Sequence, residues 1–281
     1  MKKLRLLISF LVMLIAVGGY AKDSYVETIK EFCHLNGDAG QITSALKMLN
    51  SELFVADGTI DLDELAERYF EDQLVTKVAD ELKDRNVSEA EIKRLNSRLS
   101  SPAGKDFVAH RLAWTEALRG ELTTELMLHI PQIMSGKISE PIQPKAGIEP
   151  GYIDEFKKFM GASITESFMK MFDESSGMMK LDVLPEGTKK GLMSWMENNL
   201  ATLALNSAHG IITDDDLGFA SKLYSEEAFK KAQDIVTKNF DPTANGKIVD
   251  MMSDYINWMK DQGATTIEGV TNLFRLMKGV M

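Results

Sequence analysis

Residues 114–130 read Trp114-Thr115-Glu116-Ala117-Leu118-Arg119-Gly120-Glu121-Leu122-Thr123-Thr124-Glu125-Leu126-Met127-Leu128-His129-Ile130. Trp114, Leu118, Leu122, Leu126 and Ile130 recur at intervals of four, the spacing that lines one side of a helix with about 3.6 residues per turn. Upstream, Phe70, Leu74, Val78 and Leu82 keep the same interval, and Ile42, Leu46, Leu49 and Leu53 step by four, three and four. Downstream the stripes are Ile153, Phe156, Met160, Ile164, Phe168 and Met171, then Leu192, Met196, Leu200 and Leu203, and finally Ile267, Val270, Phe274 and Met277. Period-two alternation bounded by turn dipeptides is scarce, so the pattern assigns no strand. The expected fold class is all-α, a helical bundle whose amphipathic helices bury their stripes against one another.

Pro131, Pro141, Pro144 and Pro150, with Gly136, Gly147 and Gly151, gather between residues 131 and 151. Proline neither continues a helix nor donates to a ladder, so this stretch reads as a semi-extended linker or a long ordered loop. It divides the chain after residue 21 into two helical domains, 22–130 and 152–281. The two share features. Ser88-Glu89-Ala90-Glu91 and Thr213-Asp214-Asp215-Asp216 are both capping boxes, an N-cap hydroxyl followed three positions on by a carboxylate, and they lie 125 residues apart. At that offset Phe70 aligns with Trp195, Val78 with Leu203, Ile92 with Leu217, Leu95 with Ala220, Leu99 with Tyr224 and Lys105 with Lys230. Two similar tandem helical domains are therefore expected, by internal duplication.

The stretch from Val87 to Lys105, VSEAEIKRLNSRLSSPAGK, resembles the hallmark of an exported bacterial family catalogued as domain of unknown function 2059. That pattern is an acidic helix start, an apolar helix and an aromatic pair leading into Ser-Pro-x-Gly and a basic residue. Ser101, Pro102, Gly104 and Lys105 match it, whereas Arg98 and Leu99 stand where aromatics are usual, and Glu226-Glu227-Ala228 replaces the proline turn in the second half. The resemblance implies an exported helical fold and assigns no catalytic residue. Physically, Ser101 and Pro102 read as the N-cap and first position of a new helix, with Gly104 permitting close backbone approach at a corner.

The chain carries 32 basic and 42 acidic side chains, a formal charge of −10, and one cysteine. Its length suffices to bury a sizeable core without disulfides or structural metal, and its acidity, with no local basic cluster, argues against a nucleic-acid partner. Residues 1–21, MKKLRLLISFLVMLIAVGGYA, join a basic start to an apolar run from Leu6 to Val17 and a small-residue end. At about 1.5 Å per residue that run spans about 18 Å, short of the roughly 30 Å hydrocarbon layer, so it reads as a signal peptide cleaved after Ala21. The expectation is a periplasmic or secreted protein with no transmembrane segment in the mature chain, which keeps 29 basic and 42 acidic residues. Export sharpens the question of Cys33, read as a buried small hydrophobe beside Phe32 or, alternatively, as a reactive or intermolecular thiol.

Two segments partly imitate a calcium loop. Asp241, Thr243 and Asn245 occupy its first, third and fifth positions, with Gly246 sixth, but Met252 stands where a bidentate glutamate belongs; around Asp57-Gly58 the later half fits and the earlier does not. The plainer reading of both is a helix-ending turn followed by a new N-cap. The histidines His34, His110, His129 and His209 are dispersed and no paired-cysteine or His-Glu-x-x-His spacing occurs; Met169-Lys170-Met171 with Met178-Met179 could suit Cu(I), but Met160, Met171 and Met196 sit on apolar stripes, so core filling is the better reading of the 17 methionines. No nucleophile elbow, P-loop or dinucleotide fingerprint is present, so no catalytic residue and no cofactor are assigned.

What remains is apolar surface. Phe156, Phe159, Met169 and Phe172 crowd a segment that is apolar on more than one helix face, which implies burial on two sides: by the other domain, a protein partner or an apolar ligand. The leading expectation is a non-enzymatic binding module for an envelope protein partner or an apolar ligand, with a homo-oligomer compatible with the same surface. The alternatives are an envelope hydrolase whose site assembles only in three dimensions and a weak calcium-binding module.

Overall fold

The computed structural model describes residues 23–55, 58–135, 141–160, 185–240 and 247–267, and these are helical almost throughout. The elements are α1 (Ser24–Leu35), α2 (Asp38–Leu53), α3 (Leu62–Tyr69), a π-helical turn (Phe70–Leu74), α4 (Val75–Asp84), α5 (Glu89–Leu99), α6 (Pro102–Met134), α7 (Pro150–Met160), α8 (Glu186–Ala208), α9 (Asp214–Tyr224), α10 (Glu227–Phe240) and α11 (Lys247–Asp261). The fold is all-α. Among the described residues the one β-type pairing is an isolated antiparallel bridge, Phe54 with Thr266, which ties the end of α2 to the residues after α11. The signal-peptide reading and the calcium candidates Asp241, Thr243 and Asn245 lie outside the described residues.

Local chemistry starts and stops the helices where the sequence reading places those signals. The Ser88 hydroxyl accepts from Glu91 N while the Glu91 carboxylate accepts from Ser88 N at 2.8 Å, and Thr213 with Asp216 repeats the arrangement at 2.8 Å. Asp61, the residue after the Gly58 turn, caps α3 by accepting from Asp63 N and Glu64 N, as the turn-and-cap reading of that segment requires. At the α5–α6 corner the Ser101 hydroxyl accepts from Gly104 N and donates to the Arg98 carbonyl, with Pro102 at the first helical position.

Helix α6 differs most from the sequence reading. It passes through Pro131 and ends at Met134, four residues into the expected linker. Pro131 sits in the last turn, so the amide it lacks removes a single ladder bond. The stripe quoted above is also not one face. At about 100° per residue, steps of four drift by about 40° each, so Ile130 lies about 160° from Trp114. Trp114 is buried and Ile130 is 45% exposed, while Ile133, closer to the phase of Leu122 and Leu126, is buried. Met127 and Met134 share the exposed side.

Residues 141–149 form an ordered loop strapped to α8. Asn199 accepts from Ile142 N at 2.6 Å, and Asn206, seven residues on and so on the same side of α8, accepts from Lys145 N and donates to the Gln143 carbonyl.

Packing ignores the midpoint of the chain. The largest apolar core joins α1 to α5 and the start of α6 with Leu223, Phe229, Ile235, Tyr255 and Met259 from α9, α10 and α11. A second core groups Trp114, Phe156, Ala204, Leu205, Ile212 and Leu217, and a third groups Ile133, Trp195, Met196 and Leu203. Helix α6 follows α5 in sequence but lies along α8 and α9, and α10 follows α9 but packs on α4 and α5. Glu226 pins that second crossing by pairing with Arg94 and Arg98 of α5 at 3.1 and 2.9 Å.

A Cβ at Gly104 would lie 2.4 Å from the Arg98 carbonyl oxygen and 2.6 Å from that of Leu99, both backbone atoms. Gly104→Ala therefore has to open the α5–α6 corner, and it should lower the unfolding free energy by about 1–3 kcal/mol in urea titrations. Unchanged stability would mean that this contact does not set the corner.

Candidate functional site

The site begins with Trp114. Its indole donates to the Ala204 carbonyl at 3.0 Å and the Ser207 hydroxyl at 3.1 Å, which fixes α6 on α8 and presents an aromatic wall to α7. Phe156 meets that wall edge-on at 5.6 Å, and Phe159 at 5.9 Å. Phe159 also touches Phe107 and, at 5.9 Å, Tyr224 of α9. Of the residues expected to form a binding surface, Phe156 is thus core, 2% exposed and covered by the chain itself. Phe159 reaches the surface; Met169 and Phe172 lie outside the described residues.

Between α7 and α9 the surface opens into a groove of two adjoining hollows, about 220 and 510 Å³. Glu155 and Leu217 line both. The floor is Phe159, Leu217, Tyr224 and Tyr152; Glu149, Glu155 and Asp214 supply carboxylates, and Gly151, Gly218 and Ser221 keep the walls low. The one cation among the lining residues, Lys158, is paired with Glu155 at 2.6 Å. Tyr152 donates its hydroxyl to the Ile212 carbonyl at 3.0 Å, and burial, assisted by the charges of Asp214 and Asp216, pushes its phenol up to about 12. The sequence reading found Phe159 through its place off the main stripe but missed the α9 side, because Leu217 and Tyr224 look like ordinary members of a helical stripe.

Elsewhere the titratable groups are engaged structurally. Cys33 is buried and free, and burial followed by the charge of Asp38 pushes its thiol far up. His34 stacks edge-on against Phe70 at 6.1 Å. His110 bonds the buried Asp216 at 2.8 Å, joining α6 to the cap of α9, and His129 lies over Trp195. Asp38 is bonded by Asn36 at 2.8 Å in a corner where Arg111 donates to the Asn36 carbonyl and Asn36 donates to Gln233; burial raises its carboxyl, with Arg111 opposing. Among the described residues no three His, Cys, Asp or Glu side chains are grouped to hold a metal ion, and no helix is long and apolar enough to cross a membrane.

The chain matches no protein-family model, no curated protein and no solved structure.

Two outcomes check these assignments. A thiol reagent at about pH 8 should leave Cys33 unlabelled in the native protein and label it fully in denaturant, since only the thiolate of an accessible cysteine reacts; native labelling would refute its burial. Tyr152 favours its neutral form when folded, so that contribution to stability is complete below the unfolded value of 10.0 and is lost as pH rises toward about 12. Burial holds Tyr25, Tyr69 and Tyr255 up as well, so tyrosinate absorbance should show one fewer late-titrating phenol in Tyr152→Phe than in wild type.

Proposed function

We propose that this protein is a non-enzymatic, exported binding module, built from a duplicated helical unit, that holds a protein partner or an apolar ligand in the α7–α9 groove. The observation that carries the reading is the groove itself: a floor of half-buried Tyr152, Phe159 and Tyr224 over the buried Leu217, beside a rim of carboxylates. Apolar floors with a few placed polar groups are the usual construction of binding surfaces. The export half of the reading rests on residues 1–21 and on the resemblance carried by Ser101, Pro102, Gly104 and Lys105.

Several observations support the duplication. Helices α5 and α9 have 11 residues each, begin at capping boxes 125 positions apart and are each followed by a two-residue corner. In each half a tyrosine of an earlier helix, Tyr25 of α1 or Tyr152 of α7, donates to the carbonyl just before the cap, Val87 at 2.8 Å or Ile212 at 3.0 Å. The crossings are reciprocal as well: the helix after α5 packs on α8 and α9, and the helix after α9 packs on α4 and α5. Two equivalent units that each lend the other the helix after the capping-box helix would produce such crossings.

Native mass spectrometry of the full chain recovered from the exported fraction tests the binding reading. The expected spectrum contains a species heavier than the mature chain, which Tyr224→Ala depletes while circular dichroism stays unchanged. Bare mature mass under gentle ionisation would overturn it.

A further inference from the structure

We infer that the occupant of the α7–α9 groove is a cationic amphipathic helix of a protein partner. The inference rests on the binding reading above and on the correspondence of the two halves, and it comes from comparing one seam with its counterpart.

In the first half, the seam between α1 and α5 is closed. Asn96 of α5 donates to the Thr28 carbonyl and to Glu31, both at 3.0 Å, and Glu89 accepts from Ser24 and Thr28. Lys93, four residues after Glu89, neutralises it at 2.7 Å. The positions 125 residues on are Ser221, Asp214 and Gly218, and all three line the open groove between α7 and α9. The amide that bonds across the first seam is replaced by a short hydroxyl; the lysine that answers the carboxylate is replaced by glycine.

Two consequences follow. Losing the amide and the lysine side chain removes bulk, leaving the half-buried rings of Phe159 and Tyr224, above the buried Leu217, open to a visitor. Losing the lysine leaves the larger hollow lined by Glu149, Asp214 and Glu155, the last paired with Lys158 from the adjoining hollow, and with no cation among its own lining residues. A groove with this lining rewards a segment that presents leucine- or phenylalanine-type residues downward and lysine or arginine sideways. Helix α9 runs 11 residues, so the trough accommodates about three turns of a docked helix. An anionic or uncharged apolar ligand would gain the floor and forfeit the rim.

The test restores the first half's arrangement in the second. A Cβ at Gly218 meets nothing within 4 Å, so Gly218→Lys fits and favours the helix while placing a cation beside Asp214. The probe is a fluorescent peptide of about 18 residues built from leucine and lysine at helical spacing, titrated against the full mature chain by anisotropy; its glutamate counterpart and a fluorescent fatty acid serve as comparisons. The lysine peptide should bind, should weaken with rising salt and should lose about tenfold or more in affinity to Gly218→Lys. Asp214→Asn with Glu155→Gln should weaken it similarly without adding bulk. Equal binding of the glutamate peptide, or affinity for the lysine peptide unchanged in both variants, overturns the inference. Binding of the fatty acid alone also overturns it, yet leaves the binding-module reading standing. Binding of none of the probes, together with a bare mature mass, removes both.

Discussion

Trp114 holds the molecule's second half in place. Its indole hydrogen bonds to Ala204 and Ser207 lock α6 onto α8, and its ring faces carry Phe156 and Phe159. A buried indole N–H left without an acceptor would cost about 1–3 kcal/mol, so the pairing of α6 with α8 is tightly specified at this point. The rest of the local arrangement depends on it. With α7 seated on Trp114, Tyr152 reaches the Ile212 carbonyl, Phe159 reaches Tyr224, and the α7–α9 groove acquires both its floor and its width. Close approach farther along the same pair is permitted by Gly191, where a Cβ would lie 2.4 Å from the Ile133 carbonyl oxygen.

A second constraint holds the other end of the crossing. The turn between α1 and α2 places Asn36, Asp38 and Cys33 in the interior, where Arg111 of α6 and Gln233 of α10 reach them. Burying a carboxylate is unfavourable unless it is bonded and matched by charge, and here Asn36 bonds it while Arg111 opposes the desolvation. Such groups add little net stability over apolar packing, but they penalise any register of α6 and α10 that leaves them unanswered. Both helices that cross between halves are thus keyed at one buried polar corner, whereas Cys33 beside it serves as a small apolar filler.

The parts legible in the sequence were those set by local chemistry. The caps at Ser88, Thr213 and Ser101, the corner glycine and the helical stripes of α2, α4, α6, α7 and α8 follow from interactions among residues a few positions apart, whereas Ile267, the one described residue of the last expected stripe, lies outside any helix. Pro131 misled because a proline's effect depends on where the helix ends, which the sequence shows only through its neighbours. Phe156 and Phe159 revealed burial on two sides but not by what, since Trp114 and Tyr224 lie far off in sequence. The ordered loop after α6 depends on Asn199 and Asn206, whose spacing of seven is unremarkable until the loop lies above them. One signal for the groove was available: at the 125-residue offset Lys93 aligns with Gly218 and Asn96 with Ser221, an exchange of long polar side chains for short ones on a helix face.

On the proposed reading, that exchange separates stability from binding within one architecture. A seam closed by Asn96, Glu89 and Lys93 bonds the Asn96 amide N–H across to α1 and pairs the Glu89 carboxylate within the chain. An open seam leaves carboxylates facing water above a half-covered apolar floor, an arrangement that would gain free energy from the proposed cationic, apolar occupant. The openness is affordable because α9 is held by other means: its cap bonds His110 on α6, Ala220 and Leu223 enter the largest core, and Leu217 reaches the core around Trp114. Because α9 is fixed through its other face, the groove is presented already formed, so a helix of the kind proposed above would order itself without reorganising the protein that receives it.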